Sequence, residues 1–400
     1  GFVGLNIDST HICDNRPMNE ITGNGVYSFF YAGFTNELDY NQYYARIDKA
    51  RAFSRLRELL DDNHSTFFDT ASSESIDRHV ESDYPSRNFN IVLVLEESFG
   101  SKFVGSLHPE GKCLTPRFDS LSAEHGTLFT HVYATGNRTV RGIEAALASY
   151  PPIPGRSIVK RPGNQHVFTL SSLLKSKNYN TVFLYGGLSY FDNIGPFASN
   201  NGHDKVIDEL DFKDPVFKTI WGVCDEDLFD KSLTTMDSLH TLGAPFFATL
   251  LTVSNHTPYT YPAGRIPFDP DEHSRNNAVC YADYAIGKFI DDARSHSFFD
   301  STLFVFVADH GARIYGSEQI PMQSYEIPLL FYNPSLNPTG QLCNVVGSQM
   351  DIAPTILDFL GFDYDSEFFG RSLFSTPKEK ERVLMSHNRD VSLMRDSLIG

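Results

Sequence analysis

The apolar run at residues 303–312, LFVFVADHGA, constrains the fold of this chain more than any other stretch. Its β-branched and aromatic residues stop at Asp309-His310-Gly311, a pattern typical of a buried strand of a parallel sheet. Ligands of such sheets bind beyond the carboxyl ends of the strands. The stretch therefore predicts a functional position for Asp309 and His310. The simpler alternative is a strand that ends on a turn capped by an aspartate.

Further apolar runs and amphipathic stretches alternate along most of the chain. Buried strands are predicted at 90–95, 128–135, 181–187, 244–256 and 326–334. Helices are predicted at 115–126, 140–150, 169–178, 276–296 and 350–361. Strands that alternate with helices, over connections long enough for a crossover, predict an α/β fold with a mainly parallel central sheet sandwiched by helices.

Two regions flank this α/β pattern. Residues 1–36 are rich in turn formers and aromatics, 37–62 carries apolar residues at helical spacing, and the serine- and acid-rich stretch 64–86 is typical of a linker. The last residues are expected to belong to a small β subdomain. The predicted parts are an amino-terminal region, the main α/β domain and a carboxyl-terminal segment, at 1–86, 87–376 and 377–400.

The charge balance narrows the range of partners. With 33 basic and 50 acidic residues, the formal charge at pH 7 is −17. Such a charge argues against a nucleic-acid surface and against broad electrostatic docking on an anionic bilayer. An anionic substrate then needs a local positive charge, such as a metal ion. No apolar stretch approaches the roughly 18–20 residues of a membrane span, and no signal peptide is evident. We therefore interpret the chain as the soluble portion of a longer, membrane-anchored protein.

Polar residues recur where the predicted strands end. They are Glu96 and Glu97, His256, and Asp309 and His310, with Thr139 at the start of a predicted helix. Carboxylate and imidazole groups are ligands of divalent metals, and a hydroxyl held at a metal and a helix amino terminus is acidified. Each residue alone is better explained as a cap, a solvated acid or a hydrogen-bonded histidine. Their recurrence at the edge of one sheet favours a metal site.

Six segments carry a resemblance to a known family. They are NIVLVLEESFG, LTPRFDSLSAEHG, TGNRTVRGIEAAL, LTVSNHTPY, FVADHG and SQMDIAPTILDFLG. Together they resemble the extracytoplasmic domain of the lipoteichoic acid synthase and phosphoglycerol transferase group, in the sulfatase-like branch of the alkaline phosphatase superfamily. The amino-terminal NEITGNGVYSFF is similar to the segment that follows the membrane helices in Gram-negative members.

The resemblance implies one divalent metal ion, manganese, with magnesium or zinc as alternatives. Its implied ligands are Glu97, Thr139, Asp309 and His310. Glu97 is assigned in preference to Glu96, because adjacent residues of a strand point to opposite faces.

The resemblance also implies the chemistry and the partners. Thr139 is the implied nucleophile, and His256 is expected to contact the phosphoryl group or the leaving oxygen, near neutral pKa and exposed. Asn255 and Tyr185 are further expected substrate contacts. The implied reaction is a double displacement from a phospholipid such as phosphatidylglycerol, through a phosphothreonine ester, to a glycan or polymer acceptor. The implied location is the periplasmic side of the inner membrane.

The chain departs from the family pattern at three pocket positions. Tyr185 stands where the synthases carry a histidine, and Asp192 and Ile194 stand where they supply tryptophan and arginine to the glycerol phosphate head group. The transferred unit is therefore left open, with phosphoethanolamine transfer as one alternative and hydrolysis to water as another. Sulfate-ester hydrolysis is disfavoured, because TVRGI lacks the Cys or Ser that is converted to formylglycine. A catalytically inactive lipid- or glycan-binding protein would have lost a ligand, and all four are present.

Overall fold

The computed structural model describes residues 40–68, 74–111, 113–314, 318, 320–387, 390–396 and 398–400, with isolated positions between 12 and 30. The strands are β1 Ser65–Phe67, β2 Arg78–Val80, β3 Asn90–Glu96, β4 Gly126–Tyr133, β5 Asn180–Tyr185, β6 Lys205–Ile207, β7 Lys218–Thr219, β8 Gly222–Val223, β9 Phe246–Leu251, β10 Thr302–Ala308, β11 Glu326–Tyr332, β12 Gln341–Ser348, β13 Tyr364–Ser366, β14 Val383–His387, β15 Asp390–Arg395 and β16 Leu398–Ile399. The α-helices are α1 Tyr40–Tyr43, α2 Lys49–Leu60, α3 Pro116–His125, α4 Thr139–Ala148, α5 Leu170–Ser176, α6 Ile194–Asn200, α7 Asp225–His240, α8 Arg275–Ala293 and α9 Ile352–Phe359.

A central sheet of 8 strands forms the core, in the order β12-β4-β11-β10-β3-β9-β5-β6. All neighbouring pairs are parallel except the two that involve β11, which runs antiparallel to β10 and to β4. Every residue of β3, β9 and β10 is buried, as expected for strands covered on both faces. The predicted α/β class and mainly parallel sheet are confirmed.

The register of the central strands brings distant parts of the sequence together. β3 and β10 pair in parallel with Glu96 opposite Ala308, so Glu97 and Asp309 leave the sheet side by side. β9 pairs with the other edge of β3, with Leu95 opposite Leu251. The carboxyl ends of three strands therefore meet at one edge, where ligands of parallel sheets bind.

The amino-terminal predictions need correction. The predicted helix 37–62 is interrupted between α1 and α2, because the Asp48 side chain accepts a hydrogen bond from the Arg51 N–H at 3.1 Å and caps a new helix. The stretch predicted as a linker contains β1 and β2, which pair with each other and with β13. Buried Arg78 on β2 fixes this small sheet by donating to the Phe368 carbonyl at 3.0 Å. The sequence signal failed because these strands are only three residues long.

The two ends of the chain were predicted to hold an extended segment and a small β subdomain. Most of the segment predicted at 1–36 lies outside the described residues. At the other end, β14, β15 and β16 form an antiparallel sheet, and the Ser386 N–H donates to the Thr135 carbonyl at 2.8 Å. The division into parts at 1–86, 87–376 and 377–400 stays a prediction. None of the described helices is both long and apolar enough to cross a membrane.

Candidate active site

Three side chains converge at the edge formed by β3 and β10. One ligand atom each from Glu97, Asp309 and His310 lies within 4.8 Å of the other two. His310 Nε2 is 3.8 Å from Glu97 Oε1 and 3.7 Å from Asp309 Oδ2, distances too long for hydrogen bonds. The imidazole therefore faces both carboxylates without a hydrogen bond to either, an arrangement that an ion between them would complete.

Backbone contacts orient the Asp309 carboxylate. Its Oδ1 accepts from the Ser98 N–H at 2.8 Å and from the His310 N–H at 2.7 Å. Its Oδ2 is buried and has no hydrogen-bond partner. The carbonyl of Asp309 accepts from Gln349 Nε2 at 2.7 Å. A buried carboxylate oxygen without a donor is costly unless a cation satisfies it.

Glu97 and His310 are also arranged as metal ligands would be. Glu97 is buried, and burial followed by repulsion from Asp309 raises its pKa well above the usual range. The His310 Nδ1 lies 2.9 Å from the Gly311 carbonyl. Since a carbonyl only accepts, Nδ1 donates to it, and Nε2 is the ring nitrogen that faces the two carboxylates. Two carboxylates and one imidazole nitrogen therefore form a donor set that fits a divalent cation.

Thr139 reaches this region from helix α4. It is the first residue of that helix, Arg138 before it is extended, and no side chain caps the helix start. Gly142, one turn later, packs so closely on Asp309 that a β-carbon there would overlap the Asp309 carbonyl oxygen. This contact brings the first turn of α4 against the carboxylate cluster. Thr139, Glu97 and His310 line the same cavity.

Glu96, the neighbour of Glu97, belongs to a different environment. Its Oε2 accepts from the Thr252 hydroxyl at 3.0 Å, and its Oε1 is buried without a partner. Burial, and then the charge of Asp225, raise the Glu96 pKa. Glu96 does not line the cavity that Glu97 lines. The two adjacent glutamates thus occupy separate environments, as predicted from the alternation of side chains along a strand.

His256 and Asn255 are not at a strand end, contrary to the prediction. β9 ends at Leu251, because the N–H groups of Val253 and Ser254 turn to the Asp225 carboxylate, at 3.2 and 3.1 Å. Asn255 Nδ2 donates to the carbonyl of Glu97 at 3.0 Å. Asn255 therefore fixes the loop that carries Glu97, and its Oδ1 has no hydrogen-bond partner.

The imidazole of His256 is half-buried and not exposed as expected. Its ring lies against the Trp221 indole, with centroids 3.9 Å apart. Burial lowers the pKa of His256. Its Nδ1 lies 3.2 Å from the Thr257 carbonyl and 3.1 Å from the Thr257 hydroxyl. His256 is therefore neutral at pH 7.

A cavity of about 530 Å³ is lined by Glu97, Thr139, His256 and His310. Tyr185 lines one side, and burial raises the pKa of its hydroxyl, so the phenol is protonated at neutral pH. Phe191 and Trp221 form an aromatic wall, with ring centroids 6.1 Å apart. Sequence reasoning missed Trp221, although it is the single tryptophan of the chain, because it lies in the short β7–β8 hairpin far from any motif.

Arg275 is a second residue that sequence reasoning missed. It is the first residue of α8, and its guanidinium lies over the rings of Phe103 and Tyr259, at 5.4 and 5.9 Å from their centroids. Its Nε is buried without a hydrogen-bond partner, while its Nη1 donates to the Arg313 carbonyl at 3.4 Å. Its positive charge partly offsets the rise in the pKa of Glu97, which lines the same cavity. No sequence signal distinguished it from other helix-start arginines.

Fold and site together define an α/β domain with a carboxylate and imidazole cluster beside a helix-start threonine. The chain belongs to the sulfatase family, whose model matches residues 89–362, within the alkaline phosphatase superfamily. The resemblance predicted from the sequence is confirmed. A solved protein of that superfamily from Vibrio parahaemolyticus is 36% identical, with a TM-score of 0.82 over 89% of this chain and 86% of that one.

Named relatives agree with this family. Lipoteichoic acid synthase 2 of Bacillus subtilis is 25% identical over 75% of this chain and 49% of its own length. Phosphoglycerol transferase I of Xanthomonas euvesicatoria is 29% identical over 52% of this chain and 31% of its own. The chain thus spans about half or less of these relatives. The structure of the lipoteichoic acid synthase LtaP from Listeria monocytogenes shares the fold, with a TM-score of 0.67 at 19% identity over 86% of this chain and 90% of that one.

Proposed function

We propose that this chain is the extracytoplasmic catalytic domain of a metal-dependent phosphotransferase. It moves a phosphoglycerol or related phospho-alcohol group from an anionic phospholipid, such as phosphatidylglycerol, to a glycan or polymer acceptor on the periplasmic side of the inner membrane. The observation that carries the proposal is the convergence of Glu97, Asp309 and His310 within 4.8 Å, on a cavity that Thr139 also lines. The names of the relatives agree with phosphoglycerol transfer.

The donor set suits one divalent metal ion. Glu97, Asp309, His310 and the Thr139 hydroxyl would hold it. When bound, such an ion lowers the pKa of a neighbouring hydroxyl and offsets negative charge on phosphoryl oxygens. Mixed carboxylate and imidazole donors suit manganese, with magnesium or zinc as alternatives. The unpartnered Oδ2 of Asp309 supports this assignment.

Thr139 is the proposed nucleophile. Its hydroxyl loses its proton to solvent and its Oγ forms a bond to phosphorus, while the bond from phosphorus to the diacylglycerol oxygen breaks. This step leaves a phosphothreonine ester and free diacylglycerol. The acceptor oxygen then forms a bond to phosphorus while the bond from phosphorus to Thr139 Oγ breaks, and the threonine oxygen regains a proton from solvent. Because no side chain caps the start of α4, its first N–H groups are available to stabilise anionic phosphoryl oxygens.

His256 handles the proton on the side of the leaving group. In the first half-reaction its imidazolium form gives a proton to the diacylglycerol oxygen, and in the second its neutral Nε2 takes the proton of the acceptor hydroxyl. Since burial lowers the pKa of His256, the neutral form dominates at pH 7. The first half-reaction should therefore slow as the pH rises above that pKa.

Two residues from unexpected segments complete the substrate pocket. The positions expected to supply tryptophan and arginine hold Asp192 and Ile194, yet an indole and a guanidinium line the cavity as Trp221 and Arg275. Trp221 packs against the head group. Arg275 binds a non-bridging phosphate oxygen, because its guanidinium lines the cavity and its position between two rings fixes its direction.

Diacylglycerol release tests the function directly. The purified chain is incubated with manganese and a phosphatidylglycerol that carries a fluorescent head group, with and without a glycan acceptor. Release that depends on acceptor supports transfer, release without acceptor indicates a hydrolase, and tight lipid binding without release indicates an inactive binding protein. A phosphoethanolamine donor in parallel tests the alternative head group.

Thr139→Ala tests the nucleophile within the same assay. The variant should lose turnover by at least about 10³-fold, because the attacking oxygen is gone. Its free energy of unfolding should change by only about 1 kcal/mol, the scale of a substitution at a helix start. Thr139→Ser keeps a hydroxyl and should retain measurable turnover and a phospho-alcohol adduct detectable by mass spectrometry. Turnover by the alanine variant at the wild-type rate would falsify the assignment.

A further inference from the structure

Gln349 lies in SQMDIAPTILDFLG, one of the six segments that carry the family resemblance. It is fully buried in a short 3-10 helix directly before α9. Its Nε2 donates to the carbonyls of Ala308 and Asp309 at 2.8 and 2.7 Å, and its Oε1 accepts from the Thr135 N–H at 3.1 Å. One amide group therefore bonds to the carboxyl ends of both β10 and β4.

The two strands that Gln349 connects are not neighbours in the sheet. β11 lies between β4 and β10 and runs antiparallel to both. Since adjacent strands lie about 4.8 Å apart, the ends of β4 and β10 are separated by roughly 10 Å. The ladder of the sheet joins them through β11. A direct bond between the two ends needs a long side chain with both donors and an acceptor, which the Gln349 amide supplies.

Each of these strand ends carries a different part of the candidate site. At the end of β10, the Asp309 N–H donates to the Glu96 carbonyl at 2.9 Å, so the carboxylate cluster forms between adjacent strands. Beyond β4, the Thr135 hydroxyl donates to the Arg141 carbonyl at 3.3 Å, in the first turn of the helix that begins at Thr139. The position of that helix relative to the cluster is therefore not set by the pairing of β3 with β10.

The orientation of the Gln349 amide is unique. A carbonyl only accepts and a backbone N–H only donates, so a flipped amide would lose all three bonds. The backbone around it is also anchored, because the Met350 carbonyl accepts from the Ser149 hydroxyl at 2.5 Å. Ser149 directly follows α4. The amide is thus held at one place between the two strand ends.

From this geometry we propose that Gln349 is a positioning residue, which sets the distance between the Thr139 hydroxyl and the carboxylate cluster. Gly142 packs on the Asp309 carbonyl oxygen and limits how closely α4 can approach the cluster. The bonds of Gln349 to the same carbonyl and to Thr135 limit how far the two can separate. The inference rests on the proposed function, in which Thr139 attacks phosphorus beside a metal ion.

Kinetics on Gln349→Met provide the first test. The substitution nearly keeps the volume of the side chain and removes its three bonds. A displacement of about 1 Å between reacting groups can cost about 100-fold in rate, so kcat should fall by about that factor. The KM for the lipid donor should change less than about threefold, because the pocket for the head group is untouched.

Asn333→Leu is the matched control. Asn333 is also fully buried, its Nδ2 donates to the carbonyls of Thr302 and Asp300 at 2.7 and 3.3 Å, and its Oδ1 accepts from the Leu336 N–H at 2.7 Å. These bonds lie where β10 begins, about 20 Å from the end that carries Asp309. The control variant should shift the urea midpoint by a similar amount and keep the wild-type kcat.

A double-mutant cycle on Mn²⁺ affinity tests the positioning role without turnover. Calorimetric titrations are made with wild type, Gln349→Met, Thr139→Ala and the double variant. Gln349→Met should weaken Mn²⁺ binding about tenfold when Thr139 is present, the scale for residues that orient a ligand. In the Thr139→Ala background the same substitution should change the affinity less than about twofold, because no hydroxyl remains to be positioned.

The outcomes separate positioning from general stability and from the proposed function. Equal losses of Mn²⁺ affinity in both backgrounds would place the effect on Asp309 itself and overturn the inference. A wild-type kcat in Gln349→Met would also overturn it, as would an equal loss of kcat in Asn333→Leu. If Gln349→Met does not fold, Gln349→Asn serves in the same cycle, because its amide is one methylene shorter and cannot reach both strands. If the cycle shows the coupling but wild type releases no diacylglycerol, the proposed function fails and the positioning role stands.

Discussion

Glu96 and Glu97 are adjacent in the chain, but their side chains point to opposite faces of the sheet and have different surroundings. On one face, Glu97 joins Asp309 and His310 at the wall of a cavity. On the other, Glu96 lies near Asp225, and neither lines that cavity. Each face holds a carboxylate oxygen without a hydrogen-bond partner, Asp309 Oδ2 on the first and Glu96 Oε1 on the second.

The comparison of these surroundings shows which features set a candidate reactive cluster apart from a structural one. Burial raises the pKa of Glu97 and Glu96 alike, so a perturbed carboxylate alone does not identify a site. The cavity face adds an imidazole with a free Nε2, a threonine at an uncapped helix start and access to solvent. The Glu96 face has only hydroxyl and backbone donors, such as the Thr252 hydroxyl to Glu96 and the Ser254 N–H to Asp225.

The largest predicted effect is a difference in turnover between the Glu97→Gln and Glu96→Gln variants. Glu97→Gln removes a proposed metal ligand and should lower turnover more than about 100-fold, beyond the usual loss for groups that only orient ligands. Glu96→Gln keeps an acceptor for the Thr252 hydroxyl. Because Glu96 does not line the cavity, the substitution should leave turnover within about threefold. Calorimetric titration with Mn²⁺ checks the same contrast without turnover. Equal losses in both variants would contradict the separation of the faces.

The contact between α4 and Asp309 gives the next prediction. Gly142→Ala places a methyl group into the Asp309 carbonyl oxygen, and overpacking of this kind costs roughly 1–3 kcal/mol. Because the strain lies between Thr139 and the cluster, turnover should also fall by about 100-fold. Ala146→Gly in the same helix costs about 1 kcal/mol by helix propensity but does not touch Asp309, so its turnover should stay near wild type. Urea unfolding and kinetics on both variants check this.

Arg275 tests whether the cavity face recognises phosphate through a fixed cation. Arg275→Ala should raise KM for the anionic donor about ten- to hundredfold, the range expected for a charge-assisted hydrogen bond, while kcat changes little. Arg117→Ala is a suitable control, because Arg117 is half-exposed and pairs with Asp291 away from the cavity. An unchanged KM in Arg275→Ala would remove its assignment to the phosphate.

The smallest effect on turnover concerns an imidazole that serves only the core. His203 is buried, bonds to the Thr249 hydroxyl at 3.1 Å, and its ring lies against Phe247. Burial lowers its pKa to about 3. The unfolded chain, with an ordinary histidine pKa near 6.5, binds the extra proton below that pH, so stability is full above pH 6.5 and falls towards pH 3 by about 1.4 kcal/mol per unit.

Comparison with His203→Gln isolates that contribution. The variant should lose some stability at pH 7, but its unfolding free energy should decline less steeply between pH 6 and pH 4 than that of wild type. Urea denaturation at several pH values provides the measurement. Parallel slopes in the two proteins would show that His203 does not titrate in this range.

Long periodic elements and motifs at strand ends were predictable from the sequence. The seven-residue strands β3 and β10 and the helix α8 follow clear apolar patterns, and the meeting of Glu97 with Asp309 follows from their shared position after parallel strands. Short elements were not predictable, since β1 and β2 are three residues long and gain stability from pairing with β13. The interruption before α2 depended on a single capping aspartate.

The sequence alone determined the fold class, the family resemblance and the residues of the proposed ligand set, because these are carried by local patterns and their order along the chain. The tertiary structure decided which residues surround that set. Trp221 and Arg275 reach the cavity from a hairpin and a helix start that carry no motif, and the His256 ring packs against Trp221. These contacts depend on packing between distant segments, where burial and charge are set by neighbours that no local pattern specifies.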